Sequence, residues 1–172
     1  TSANRRRRNP DEYRSPPVTL TVVEPPAAGR PPGYVLGDVV NGLQLRADVV
    51  PRSIRDGHAL VTLQLEGEGR LDRLRPLLPS TTGITWTATG DDTQPRVHEL
   101  WVSGRRTMRF DVRVDRSGEV QLGEIRLPVW DAKKKAYEVA TAPLGAVSVE
   151  APAPSASAAP AASAILPPPR VE

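Results

Sequence analysis

Through the middle of the chain, apolar and polar side chains trade places at every second residue. Leu43, Leu45, Ala47 and Val49 alternate with Gln44, Arg46 and Asp48, and Ala59, Val61, Leu63 and Leu65 alternate with Leu60, Thr62 and Gln64. Met108, Phe110, Val112 and Val114 alternate with Arg109, Asp111, Arg113 and Asp115, the cleanest half-buried strand pattern in the sequence. A period of two puts one set of side chains on one face of an extended strand, so each run predicts a strand with one buried face. Val120, Leu122, Ile125 and Leu127 predict a further strand, with a change of parity at Gly123-Glu124 that suggests a bulge. Weaker strand patterns cover 84–88, 97–102, 137–141 and 146–149.

Turn chemistry falls between these runs. Arg55-Asp56-Gly57 and Asp115-Arg116-Ser117-Gly118 read as hairpin turns, because glycine tolerates the positive φ such loops need. The stretch Leu71 to Leu78 can form a helical turn, which Pro76 cuts short. Eight or nine short strands at spacings of roughly 8–12 residues predict an all-β fold. Its expected form is an antiparallel, immunoglobulin-like β-sandwich of about seven to nine strands.

Composition adds the boundaries. Of 172 residues 38% are hydrophobic, enough to build a core over the strand-rich region. Seven of the 19 prolines precede Gly33 and six follow Glu150. Residues 151–172 are dominated by Ala, Pro and Ser and are expected to be a disordered tether. Residues 25–33 read as a Pro-rich linker, and 34–150 as the sandwich domain. Residues 5–26 resemble residues 130–152: a basic run, then Tyr13 or Tyr137, then a proline, then an alternating strand ending in Val-Glu. Residues 1–24 are therefore expected to be the final hairpin of a preceding copy of the same domain. The start at Thr1 rather than Met leads us to expect a piece of a longer protein.

Charge changes the picture less than it first suggests. The formal net charge is +3, and the excess lies in the first fourteen residues, where Arg5, Arg6, Arg7, Arg8 and Arg14 face Asp11 and Glu12. Arg5 to Arg8 have the charge to bind phosphates or anionic headgroups, but no aromatic residues interleave with them, and the repeat places Lys133-Lys134-Lys135 in the equivalent position. A solvated hairpin tip is the simpler reading, and no nucleic-acid partner is expected. The absence of cysteine excludes disulfides, thiolate catalysis and cysteine-ligated metals. No apolar run reaches the roughly 18 residues of a membrane helix.

Candidate chemistry is sparse. His58 is expected at a turn and His98 on a strand, without further ligands to make a metal site. Asp91-Asp92 follow Gly90 and read as a loop in which weak calcium binding is conceivable, though EF-hand spacing is missing. Gly67 and Gly69 precede no helix, so they do not cradle a phosphate, and no G-x-S-x-G elbow accompanies the Ser, His and Asp residues. Trp86, Trp101 and Trp130 would form a carbohydrate-binding platform if they shared one exposed face; as core or rim anchors they would be structural. Trp130 is expected to be the most exposed of the three. The reading is a non-enzymatic module without catalytic residue, metal or cofactor.

Several segments carry a family resemblance. Tyr34-Val35-Leu36-Gly37-Asp38, followed by a strand, Arg55-Asp56-Gly57-His58 and Leu63-Gln64-Leu65-Glu66-Gly67-Glu68-Gly69-Arg70-Leu71, resembles the opening, a turn and a strand end of the BatD aerotolerance family. Arg70 stands where that family usually has Asn. Gly104-Arg105-Arg106-Thr107-Met108-Arg109-Phe110 is similar to a later family strand, and Glu124 to Asp131 followed by Tyr137 to its closing signature. The resemblance covers roughly residues 10–150 and implies tandem immunoglobulin-like domains in the periplasm, anchored to the cytoplasmic membrane by a helix outside this chain. It also implies a link to oxygen tolerance and envelope stress. The implied partners are von Willebrand A-domain proteins, tetratricopeptide proteins and a MoxR-type AAA+ ATPase system. A carbohydrate-binding sandwich using the tryptophans is the alternative.

Overall fold

The alternating runs become strands of a two-layer, all-β sandwich in the computed structural model, which describes residues 16–19 and 21–150. The expected truncated hairpin (1–24, in large part), Arg5 to Arg8, and the tether at 151–172 lie outside the described residues. The first layer is a four-stranded antiparallel sheet built from β1 (Val40–Val50), β3 (His58–Gly69), β4 (Ile84–Val97) and β5 (Val102–Val114), in the order β1-β3-β5-β4. Leu63, Leu65, Val61, Val112 and Phe110 project from it into the core, on the parity their sequence predicts.

The second layer comes from β2 (Ser53–Ile54), β6 (Gly118–Gln121), β7 (Glu124–Asp131), β8 (Ala136–Pro143) and β9 (Ala146–Val149). β7 pairs with β8, while β9 sits between β6, antiparallel, and the short β2, parallel. Ile125, Leu127, Val129, Leu122, Leu144 and Val147 close the core from this side. Each such side chain contributes about 1.5–3 kcal/mol on leaving water, so the interdigitated strand faces carry most of the stabilisation.

Local expectations are corrected at several points. Residues 120–127 are not one bulged strand. The ladder of β6 and β7 against β9 and β8 keeps one register throughout, from Gly118 opposite Val149 to Asp131 opposite Ala136, so no extra residue is inserted. The parity changes at two diagonal neighbours, Gly123 (φ +87°) opposite Leu144 and Gly145 (φ +73°) opposite Leu122, both in a backbone region that favours glycine. Leu122 N donates to Gly145 O at 2.9 Å and Leu144 N to Gly123 O at 3.0 Å, which holds the kink together.

The turns at Arg55-Gly57 and Asp115-Gly118 are crossovers rather than hairpins: β2 and β3, like β5 and β6, belong to different layers. Gly57 (φ +78°) and Gly118 (φ +95°) supply the expected positive φ for that change of layer. Residues 97–102 are the tip of the β4–β5 hairpin rather than a strand of their own, since Val97 pairs with Val102. The helical turn after Gly69 is a single 3-10 turn at Leu71–Arg73.

Asp131 ties the two layers together at one end. Buried beside the β7–β8 turn, its carboxylate accepts the N–H groups of Gly42 at 3.1 Å and of Lys133 and Lys134 at 2.9 Å each. Asn41 Oδ1 accepts from Ala132 and Lys133 in the same turn. The Gly42 N–H is free for this because the β1–β3 register shifts between Asn41 and Gln44.

Candidate interaction surface

β4 pairs with β5 along one side and has no partner strand on the other among the described residues. A 14-residue strand therefore presents a row of free backbone donors and acceptors. Two devices interrupt it: Pro95, which has no N–H to offer, and a register shift between Ala88 and Gly90. Ile84, Trp86 and Ala88 lie opposite the core-facing Val114, Val112 and Phe110. Beyond the shift, Asp91 and Thr93 take the inward parity, opposite Met108 and Arg106.

That shift is why the acidic pair is not a loop. Asp91 and Asp92 stand on successive positions of a strand and so face opposite ways. Asp92 accepts a hydrogen bond from Gln94 Nε2 at 3.1 Å, and Asp91 pairs with Arg106. Arg106 is an arginine at a core-facing position of β5, only 6% exposed. Its Nε and Nη2 fork onto Asp91 at 2.8 and 2.6 Å, and its Nη1 donates to the carbonyls of Leu71 and Leu74 at 2.7 Å each. The guanidinium holds the Asp91 carboxyl below the usual aspartate range, against a smaller opposing effect of burial. This clamp fixes the 3-10 turn beneath the far end of the four-stranded sheet.

Past the clamp, β4 and β5 run beyond the core. A cleft of about 310 Å³ opens there, with Leu71, Thr93, Pro95 and Val102 among its lining residues. Gly104 keeps the strands close, since a Cβ there would lie 2.5 Å from Gln94 O. The hairpin closes through His98 N donating to Trp101 O at 2.9 Å, with the His98 and Trp101 rings 5.1 Å apart and tilted 31°. Leu100 is 88% exposed, Val97 79% and Trp101 51%. Three large apolar side chains at one hairpin tip form a clustered exposure rather than scattered single residues.

The other candidates do not gather. His58 opens β3, 3.0 Å from Asp111, while His98 sits at the opposite end of the same sheet in the β4–β5 tip. Trp86 packs edge-on against Phe110 under β4, Trp101 is at the tip, and Trp130 meets Tyr137 edge-on in the other layer. The most exposed tryptophan is thus Trp101, not Trp130, and the three share no face on which a sugar could lie. Gly69 (φ +138°) packs against β1, where a Cβ would lie 2.6 Å from Val39 O, so Gly67-Glu68-Gly69 serves backbone packing. Lys133, Lys134 and Lys135 do occupy a hairpin turn, with Lys133 bonded to Glu68 at 2.5 Å and Lys134 to Glu138 at 2.6 Å.

Sequence reasoning misses Leu100 and Val97 because an apolar residue in a short strand-like run gives no sign of which way it faces. It misses Arg106 because an arginine in an alternating strand reads as solvent-facing. The one signal for Arg106 is its parity, two residues before Met108 on the core-facing row.

No family model, no curated protein and no solved structure matches the chain. No helix among the described residues is long and apolar enough to cross a membrane.

Proposed function

We propose that the chain is a non-catalytic protein–protein interaction module, part of an extracytoplasmic, membrane-anchored protein of the BatD type linked to oxygen tolerance and envelope stress. The observation that carries the interaction reading is the tip of the β4–β5 hairpin, where Val97, Leu100 and Trp101 stand in solvent beside an open strand edge. Such a surface recognises a partner by burying apolar side chains and adding backbone hydrogen bonds at the edge. The sequence resemblance supports the family and, with it, the periplasmic setting. Its segments fall on strands of the sandwich: residues 104–110 within β5, residues 124–131 as β7, and Tyr137 on β8.

The partners this reading names are von Willebrand A-domain and tetratricopeptide membrane proteins and the MoxR-type ATPase system associated with them. The test is a photo-crosslinking residue at position 100 of the membrane-borne protein in its native cells. An adduct with a von Willebrand A-domain or tetratricopeptide protein, lost when Trp101 is changed to Ser, is the expected result. Failure to form any such adduct, with a folded and membrane-located bait, would overturn the proposal.

A further inference from the structure

A second surface lies on the outer face of the other layer. Trp130 and Tyr137 are cross-strand neighbours on β7 and β8, their rings 4.8 Å apart at 67°, and Tyr34 meets Tyr137 edge-on at 5.0 Å and 77°. The segment before β1 runs alongside this aromatic group with two consecutive prolines, Pro25 and Pro26. Tyr137 Oη donates to the carbonyl of Pro26 at 2.7 Å, and Val23, Glu24, Pro25 and Pro26 line one cleft together with Trp130 and Lys135. Arg30 completes the contact, its guanidinium 5.6 Å from the Tyr34 ring centre and its Nε donating to Tyr137 Oη at 3.4 Å.

The chemistry of the seated segment says what the surface is suited to hold. Consecutive prolines fix φ and push the residue before each of them into extended, polyproline II backbone. They offer carbonyl acceptors and flat apolar rings but no N–H, so a surface that reads them needs aromatic faces and a hydroxyl or indole donor. Tyr34, Trp130 and Tyr137 supply both. An arginine a few residues along adds a cation–π contact to the same aromatic group. Residues 21–26 join no strand, and all of them but the half-buried Pro25 are exposed, as is Arg30. The segment's attachment rests on these few contacts.

We infer that the face formed by Tyr34, Trp130 and Tyr137 is a binding site for an extended, proline-rich and arginine-bearing segment of a partner polypeptide. The chain's own Pro25-Pro26 and Arg30 occupy it and must be displaced. This is a different surface from the β4–β5 tip and does not depend on the reading given for it. A tethered occupant competes at an effective concentration in the millimolar range for a short linker, so the native chain binds a free peptide weakly.

The test uses a fluorescein-labelled peptide with the sequence of residues 22–32, VVEPPAAGRPP, titrated into the full chain while anisotropy and the Trp130 indole resonance are followed. The double variant P25A/P26A weakens the tethered competitor and is expected to bind the peptide at least about tenfold tighter than the native chain. In that background Y137F, which removes only a hydroxyl, is expected to weaken binding about fivefold. A peptide with all its prolines changed to alanine is expected not to bind. Urea-unfolding midpoints close to that of the native chain establish that the variants are folded. Equal affinity of native and double-variant chains, or an unmoved Trp130 resonance on titration, would overturn the inference. Concentration-dependent dimerisation of the double variant, relieved by the peptide, would overturn the partner and make the occupant a second copy's strap.

Discussion

Arg106 reaches across from β5 to grip Asp91 of β4 with two hydrogen bonds at 2.8 and 2.6 Å, and the same guanidinium binds the carbonyls of Leu71 and Leu74. An arginine buried at a core-facing position is tolerated because four acceptors surround it. R106A is expected to destabilise the fold by about 2–4 kcal/mol, since it empties a buried site and takes the guanidinium donor from the Leu74 carbonyl, while Leu71 O keeps the Leu74 N–H. R106K keeps the charge but not the fork, and is expected to recover less than half of that loss. D91A is expected to cost less, about 1–3 kcal/mol, because it takes two acceptors from a buried guanidinium but opens a half-exposed site through which water reaches the freed N–H groups. Urea unfolding of the three variants checks the order, and equal losses for R106A and D91A would contradict it.

Asp131 and Asp38 titrate with opposite signs. Burial pushes the Asp131 carboxyl up, but the N–H groups of Lys134, Gly42 and Lys133 outweigh it and leave the group below the usual aspartate value. A folded-state value below the unfolded one means stability that is fully present above about pH 4 and lost as pH falls through the folded value. Asp38 is buried where Trp130 N bonds its backbone carbonyl, and burial raises its carboxyl despite a bond from the Val35 backbone and the nearby charge of Arg75. Its stabilising contribution is present below about pH 4 and is lost as pH rises through the raised value. D131N is therefore expected to flatten the acid limb of the stability profile and to lower stability at pH 7. D38N is expected to leave stability at pH 7 unchanged or higher. Thermal unfolding measured from pH 2.5 to 8 separates the two.

Gly123 and Gly145 bend two paired strands at one place without losing register. G145A forces an L side chain into φ +73° and is expected to cost about 1–2 kcal/mol. G123A adds a steric conflict, because its Cβ would lie 3.0 Å from Pro79 Cβ, and is expected to cost more. Gly118 is the control: its φ is also positive, but a Cβ there meets nothing within 4 Å. Guanidinium midpoints in the order G118A, G145A, G123A, from most to least stable, are the expected result.

How much of this was legible depends on what alternation encodes. At Met108 to Val114 parity alone gives the strand and its buried face, because one side of β5 packs on the core along that whole length. In β4 the same reasoning stops at Ala88, since the register shift moves the inward parity from even to odd residues. Thr89-Gly90-Asp91-Asp92 then looks like a polar loop, although it is strand. The crossovers at Gly57 and Gly118 look like hairpins because a positive-φ glycine serves a change of layer as well as a tight turn. The strap contacts were not legible at all. Tyr34, Trp130 and Tyr137 are far apart in sequence, and only the pairing of β7 with β8 and the approach before β1 brings their rings together. The exposed tip was hidden for a simpler reason: Leu100 and Leu63 are the same amino acid, and only the end of the core between them decides which one meets water.

The tip residues therefore separate stability from binding. Leu100, Val97 and Trp101 stand beyond the core, and Trp101 contacts His98 within its own turn. Replacing a side chain that stands outside the core and touches only its own turn changes folding stability by less than about 0.5 kcal/mol. L100D and L100D/W101S are thus expected to unfold at nearly the native urea concentration, while V61A, in the core under the same sheet, is expected to lose about 1–3 kcal/mol. The clustered apolar surface should also favour self-association when no partner is present, through apolar burial or pairing at the β4 edge. Sedimentation at rising concentration is expected to show association of the native chain that L100D reduces and L100D/W101S abolishes. A tip variant that unfolds early would place these side chains in the fold's own packing, and an association unaffected by both variants would move the sticky surface elsewhere on the sheet.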